Sequence, residues 1–355
     1  MIPYVEVVDK YQLKAFAQIE PNECWFELSY YDVGECEIYC VATNKNLKAL
    51  KKGHYVKIPN KRFLWVITSI EYSFSADKLT RMIIAKGKEA KFLLSKRIIE
   101  EPSELKTDLI GGVSYLFNRN IGASAGEDRS IANFNLAYIG DSVQIEPIQA
   151  TRENLLDFTS TLLKTYQFGA YTTLEDGFIY YKPIKGLDRS SYVKFSQSFD
   201  NLLASTYYTS EEDYKTFAYV VSNVEDVDYV ESYNTNIALK GVDRSELIVN
   251  SNLSLDYKDK DGVERKTTPT SDLYKGWQKE EGKNELSNHK VVEEVSGEID
   301  INNSIYEFDK DFFIGDLVLI QDEYFNIPPF TARILKFTMS QDTKVYKEEF
   351  AYSAD

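Results

Sequence analysis

One short pattern occurs twice in this chain of 355 residues, and it constrains the fold more than any other feature. Gly53-His54-Tyr55-Val56-Lys57-Ile58 and Gly315-Asp316-Leu317-Val318-Leu319-Ile320 both read G-x-x-V-x-I, a glycine turn leading into an alternating strand. Alone the pattern is cheap. Its weight comes from the residues downstream, which recur in matching order: Ile67, Ile70, Ser73, Asp77 and Lys78 find counterparts in Ile334, Phe337, Ser340, Asp342 and Lys344. Each copy then closes on one further strand, over 79–85 and 345–351, and the second copy has the longer loop, Asp322 to Pro329. The implication is one small β-domain used twice, not the short fixed period of a solenoid.

The first third reads as strands and turns. Cys24, Phe26 and Leu28 alternate with Trp25, Glu27 and Ser29. Turn chemistry comes next at Tyr31-Asp32-Val33-Gly34, and alternation resumes over 35–41, which predicts a hairpin. Thr43 is placed to cap a short helix through Leu50, with Leu47 and Leu50 on one face and Gly53 at its end. Strands are predicted at 54–59, 63–73 and 78–86, and the unbroken apolar run from Phe63 to Ile67 fits a strand covered on both faces. Over 88–98, Ala90, Leu93, Leu94 and Ile98 fall at helical spacing.

The middle changes character. Residues 107–119 predict a helix weakened by Gly111-Gly112. Residues 151–167 carry the clearest helical stripe, Leu155, Phe158, Leu162 and Tyr166, with Thr151 as N-cap. Segments 168–173 and 178–181 flank Asp176-Gly177, a good hairpin turn. Strands return at 193–195, 203–209 and 216–221. The polar stretch 251–290 holds a second hairpin around Asp261-Gly262 and a helix over 272–288 with Lys-Glu pairs on its surface. Residues 291–355 are strands again. Aromatics make up 14% of the chain, with 26 Tyr and 20 Phe, which favours pleated, half-buried sheet.

The fold class implied is α+β and β-dominated: two similar small β-barrel domains with an α/β insertion between them. Residues 1–100 form the first barrel and 101–194 the α+β insertion. Residues 195–240 together with 291–355 form the second barrel, and 241–290 a polar inserted subdomain.

The formal charge of −15 argues against a protein that grips nucleic acid through its phosphates. Its distribution is uneven. Residues 1–100 carry 16 basic and 12 acidic residues, whereas 292–355 carry 5 and 14, a polarity that suits contact between copies. No basic and apolar leader opens the chain, and no run approaches the ~20 apolar residues of a membrane span. Cys24, Cys36 and Cys40 are too few for a disulfide framework. Cys36 and Cys40, four apart on a strand, would stand ~13 Å from each other, too far for a bridge or for a zinc site with His54.

Motifs of catalysis are weak. Gly122-Ala123-Ser124-Ala125-Gly126 fits G-x-S-x-G, but a nucleophile elbow needs an apolar strand entering and a helix leaving. Asn118-Arg119-Asn120 enters and Glu127-Asp128-Arg129 leaves, and the base would have to be His289. A calcium loop anchored on Gly262 would put Tyr257 and Thr268 at ligand positions, so a hairpin turn is the better reading of Asp256, Asp259 and Asp261. Glu27, Glu35 and Glu37 offer carboxylates for glycoside chemistry, though any acidic chain does. No catalytic residue, cofactor or metal is assigned.

Several segments in order resemble the siphophage tail-hub family, the tail-associated proteins related to contractile-phage baseplate hubs. They begin with the hairpin Phe26–Ile38, Ala42-Thr43-x-x-Asn46-Leu47-x-x-Leu50 and Gly53 to Ile58. Next come Ile67 to Glu71, Gly87-x-x-Ala90-x-x-Leu93-Leu94-x-x-Arg97-Ile98-Ile99 and Asn154-Leu155-Leu156. Val193-x-Phe195-Ser196, the run Tyr207 to Tyr219, and Phe313-x-Gly315-Asp316-x-Val318 complete the set. The resemblance implies a non-catalytic homotrimer in which two barrels per chain make a pseudo-sixfold ring. That ring would sit at the distal end of a tail tube, in the virion tail tip, after synthesis in the host cytoplasm. Its expected neighbours are the tail tube and distal tail proteins, the tape-measure protein, and fibre or receptor-binding proteins. DNA would pass through an acidic lumen that does not hold it. The chain stops soon after the second barrel, so wall digestion and receptor recognition are expected of other proteins. Barrel edges around Gly53, Val56, Ile58, Gly315, Val318 and Ile320 are the expected assembly strands. The alternatives from other classes are a host-surface glycan-binding module and a cell-wall hydrolase.

Overall fold

The computed structural model describes residues 2–75, 80–224, 229–233, 239–259, 261–299, 305–322, 327–342 and 345–354. Alternation builds the first unit. It contains β1 (Val5–Val8), β2 (Ala15–Ile19), β3 (Glu23–Ser29), β4 (Glu35–Val41), α1 (Asn44–Ala49), β5 (Tyr55–Lys57), β6 (Trp65–Ser75) and β7 (Thr80–Glu89). Cys24, Phe26 and Leu28 on β3 and Cys36, Ile38 and Cys40 on β4 turn inward, as their period of two requires. Phe63 to Ile67 is buried throughout. The strands pair in the order β3-β4-β7-β6-β5-β1-β2.

The chain then leaves this sheet through a 3₁₀ turn at 90–96 and builds a smaller α+β layer. Its elements are β8 (Ser103–Leu105), α2 (Leu109–Asn120), β9 (Phe134–Leu136), β10 (Ile148–Ala150), α3 (Leu155–Thr165), β11 (Gly169–Glu175) and β12 (Phe178–Ile184). Asp108 caps α2 by accepting from the Gly111 N–H, which offsets the two glycines behind it. Asp176 and Gly177 both have positive φ, +50° and +81°, as a two-residue turn matching strand twist demands. A buried pair ties the layer to the first unit: Lys91 Nζ donates to the carbonyls of Ser29 and Ala170 and lies 3.3 Å from the Glu89 carboxylate. Glu89 in turn accepts from the Thr172 N–H.

The remaining elements are β13 (Lys194–Ser196), β14 (Leu202–Ser210), β15 (Phe217–Ser222), β16 (Val230–Tyr233), β17 (Glu246–Ser251), β18 (Asp256–Lys258), β19 (Glu264–Lys266), α4 (Asp272–Leu286), β20 (Val292–Ile299), β21 (Leu317–Asp322), β22 (Ile327–Asp342) and β23 (Val345–Ala354). β15, β16 and β17 form their own sheet, with Ala218 and Val220 packed on Leu286 of α4. β18 and β19 extend the β10-β8 sheet of the inserted layer, and the other strands repeat the first unit. Their order is β14-β20-β23-β22-β21-β13, matching β3-β4-β7-β6-β5-β1 position for position.

The repeat holds in detail. Gly53 and Gly315 have φ of +88° and +87°, a region open to glycine and costly for other residues. Gly53 N–H donates to Ile67 O at 2.8 Å, and Gly315 N–H to Ile334 O at 2.7 Å. A β-bulge comes at once in each copy, between Ile67 and Ser69 and between Ile334 and Lys336. One difference is the last strand: β1 runs antiparallel to β5, whereas β13 runs parallel to β21. The matched positions Asp77, Lys78 and Lys344 lie outside the described residues. The two units are joined edge to edge, β3 pairing with β22 from Glu23↔Asp342 to Ser29↔Lys336, so 13 strands form one sheet over one apolar core.

Four local expectations are corrected. Asn154, not Thr151, caps the α3 helix, because its side chain accepts from the Leu156 and Asp157 N–H groups. Leu47 is exposed and Asn46 buried, since Asn46 turns inward to donate to the Val41 carbonyl. Leu50, not Gly53, ends α1; Gly53 serves the next turn. Of the 88–98 segment only 90–96 is helical, as a tight 3₁₀ turn after the end of β7, which leaves Ile98 outside.

Tyr30, at the end of β3, meets all three parts. Its ring is fully buried where a Cβ on Gly169 or Gly315 would come within 2.3 and 2.2 Å of it. Its hydroxyl lies 3.0 Å from the carbonyls of Gln167 and Ile184 and accepts from the Gly186 N–H. Tyr30→Ala is expected to cost about 3–5 kcal/mol in urea unfolding. Tyr30→Phe, which keeps the ring and strands the polar partners, is expected to cost about 1–3 kcal/mol.

Candidate assembly surfaces

The six residues expected at barrel edges are not at an edge. Val56, Ile58, Val318 and Ile320 are buried in the shared core. β5 is hydrogen-bonded to both β1 and β6, and β21 to both β13 and β22, so neither strand presents a free side within the chain. Gly53 and Gly315 form the turns that feed these strands. The reason is that the duplicated pattern falls on a strand that each unit holds between two others, β1 and β6 around β5 and β13 and β22 around β21. Val318→Pro is therefore expected to prevent folding, lowering yield of folded monomer, not merely to block association.

The free edges lie elsewhere. Among the described residues, β14 pairs only with β20, and β2 only with β1. Among the described residues, the part of β6 beyond its bulge, Ser69 to Ser75, pairs only with β7. These stretches carry exposed apolar side chains: Phe16 on β2, Tyr72 and Phe74 on β6, and Leu203, Tyr207 and Tyr208 on β14. The residue pattern over 203–209 predicts a strand but carries no mark of its having one neighbour among the described residues.

Ser124 sits in a turn that comes after α2, with its N–H donating to Asn118 O. A helix therefore enters the G-x-S-x-G motif, the reverse of the strand-turn-helix order that aims a serine nucleophile. His289 meets the Asp213 carbonyl and the Glu285 carboxylate. Cys24, Cys36 and Cys40 are buried free thiols, and burial pushes Cys24 up to about 12 and Cys40 up to about 11. Among the described residues no cluster of three His, Cys, Asp or Glu has metal-binding geometry. Asp259 instead stabilises the second Asp-Gly hairpin, accepting from the Asp261 and Val263 N–H groups and from Arg265.

Glu35 and Glu37 pair across strands with Lys88 and Lys86, at 3.3 and 2.7 Å. Glu27 meets Lys336 at 3.6 Å, an ion pair that spans the junction of the two units. Burial holds its carboxyl above the usual range against the pull of that lysine. No described helix is long and apolar enough to cross a membrane.

A cleft of about 750 Å³ opens between the inserted layer and α4, lined by Arg152, Glu153, Asp157, Glu281, Asn284 and Glu285 among others. Burial pushes the Glu281 carboxyl up to about 7, and the neighbouring carboxylates Glu153 and Glu285 add to the shift.

The family model described as Siphovirus ReqiPepy6 Gp37-like protein matches residues 12–348, and the chain belongs to that family of phage tail proteins. Its fold is that of two solved tail proteins. One is the tail protein from Neisseria meningitidis MC58, at a TM-score of 0.57 and 11% identity, covering 99% of this chain and 96% of that one. The other is the 43 kDa tail protein of prophage MuSo2 from Shewanella oneidensis, at a TM-score of 0.57 and 12% identity, covering 99% and 98%. No curated protein matches the chain in sequence.

The raised Glu281 carboxyl gives a pH test. The folded protein keeps a proton on Glu281 that the unfolded chain, at its usual 4.5, releases, so the contribution of this group to stability falls as pH rises from about 4.5 to about 7. The loss amounts to at most about 3 kcal/mol across that window. Glu281→Gln is expected to flatten this part of the stability profile relative to wild type, read by urea unfolding at pH 5 and pH 8.

Proposed function

We propose that this chain is a non-enzymatic hub subunit of the tail tip, forming a homotrimeric ring at the distal end of the tail tube. The observation that carries the reading is the duplicated strand order, with the two copies joined strand to strand in one sheet. Two like units per chain let three chains offer six like faces, the number a tube with sixfold symmetry requires. Membership of a phage tail family and the fold shared with two tail proteins support the same reading.

In this role the ring docks on the tube and on distal tail proteins, meets the end of the tape-measure protein, and carries fibre or receptor-binding proteins on its far side. DNA passes through the lumen, and the chain's net charge of −15 keeps a polyanion from adhering. The role places the protein in the virion after synthesis in the host cytoplasm.

Mass in solution tests the ring. Size-exclusion chromatography with light scattering is expected to give ~123 kDa, three chains in a closed cyclic assembly. A species that stays monomeric at tens of micromolar, alone and with its tail-tube protein, would overturn the reading.

A further inference from the structure

The internal repeat identifies two strands that each keep one edge open among the described residues of a single chain. Four strands in the first unit line up as Phe26↔Cys36, Cys36↔Gly87 and Gly87↔Ile67. The second unit lines up as Tyr207↔Val295, Val295↔Tyr352 and Tyr352↔Ile334. Tyr207 on β14 is thus the counterpart of Phe26 on β3. The shared bulge makes Tyr72 on β6 the counterpart of Met339 on β22. Within the chain, Phe26 stands opposite Met339 where the two units join. The corresponding strands, β14 and the outer half of β6, face no partner among the described residues.

Side-chain chemistry agrees. On β22, Phe337, Met339 and Gln341 are buried beneath the junction with β3. Their counterparts on β6 are Ile70, Tyr72 and Phe74, alternating with Ser69, Glu71 and Ser73. A strand that alternates apolar and polar has one covered face. Here Tyr72 and Phe74 are 61% and 62% exposed, and Tyr207 is 42% exposed. The outer half of β6 therefore has the sequence of a covered strand and the exposure of an uncovered one.

We propose that β14 of one copy adds, antiparallel, to the outer half of β6 of a second copy, in the register that sets Tyr207 opposite Tyr72. The pairing repeats between chains the β3–β22 junction found within one chain. It satisfies the backbone groups of two open edges and covers Tyr72, Phe74 and Tyr207. Each chain offers one β14 and one β6, so the contact is head-to-tail and builds a ring when the rotation closes. The inference rests on the ring reading only in taking a second copy as the partner.

The test places cysteines at Tyr72→Cys and Tyr207→Cys in one chain whose native thiols are buried. A short bis-maleimide is expected to give an interchain ladder of dimer and trimer on a denaturing gel. The control Glu71→Cys with Tyr207→Cys points its two thiols to opposite faces, and its ladder is expected to be at least tenfold weaker. Tyr207→Lys alone is expected to abolish the assembly measured by light scattering while leaving a folded monomer, checked by circular dichroism. Adding Tyr72→Glu to that variant is expected to restore it. An oligomer near three chains that shows no ladder and tolerates Tyr207→Lys would overturn this pairing and leave the ring reading standing. A chain monomeric in every condition, with its tube protein included, would overturn both.

Discussion

Tyr30 is where the three parts of the molecule are held to one another. Its backbone N–H donates to Leu335 in the second unit, and its carbonyl accepts from Ala170 in the inserted layer. Its hydroxyl reaches the strand ends of that layer, at Gln167, Ile184 and Gly186. The ring fills a space that two glycines, Gly169 and Gly315, leave by having no side chain. A buried phenol is tolerable only when its polar end is satisfied, and here the satisfying groups come from the layer that must be docked. Docking and hydrogen bonding are thus one event. The nearby Lys91–Glu89 pair obeys the same logic, since the lysine's other partners are carbonyls of Ser29 and Ala170 on opposite sides of the seam. Removing either charge would leave the other buried and unpaired.

With the seam held, the duplicated units meet as sheet, not merely as packed domains. Pairing β3 with β22 leaves no break in hydrogen bonding from β14 across to β2. The bulges after Ile67 and Ile334 matter to this outcome. An inserted residue bends and twists the strand, and past the bulge β22 turns from β21 to a new partner, β3. On β6 the same bend leads from β5 to an open edge. The same local device therefore yields a satisfied junction in one copy and, among the described residues, an open edge in the other.

Much of the fold was legible from residue patterns. Period-two alternation marks the β3–β4 hairpin, and the unbroken apolar run from Phe63 to Ile67 marks a covered segment, buried throughout in the fold. Asp176-Gly177 and Asp261-Gly262 announced their turns by side-chain chemistry alone. The departures in helix caps and helix faces are of short range. Thr151 and Asn154 both suit an N-cap, and the choice fell to Asn154, whose amide also donates to the Ser95 carbonyl of the preceding turn. Leu47 lost its buried place to Asn46 because a carbonyl of β4 needed a donor. The role of Tyr30 has no sequence signal, since its partners stand 137 to 305 residues away.

What the sequence determined by itself was the local menu and the fact of duplication. Strand periodicity, turn residues and the doubled G-x-x-V-x-I are properties of neighbouring residues, governed by backbone sterics and side-chain period. Only the tertiary structure decided which strands have two neighbours and which have one. Val56 and Val318 look like edge residues in a row of letters, yet each ends inside the core because a distant strand, β1 or β13, covers its far side. Tyr72 and Tyr207 look like ordinary sheet tyrosines and end exposed because no described segment of the same chain reaches them. Hydrogen bonding between strands joins residues without regard to their separation along the chain, so edges are a property of the assembled sheet and are not written at any one position.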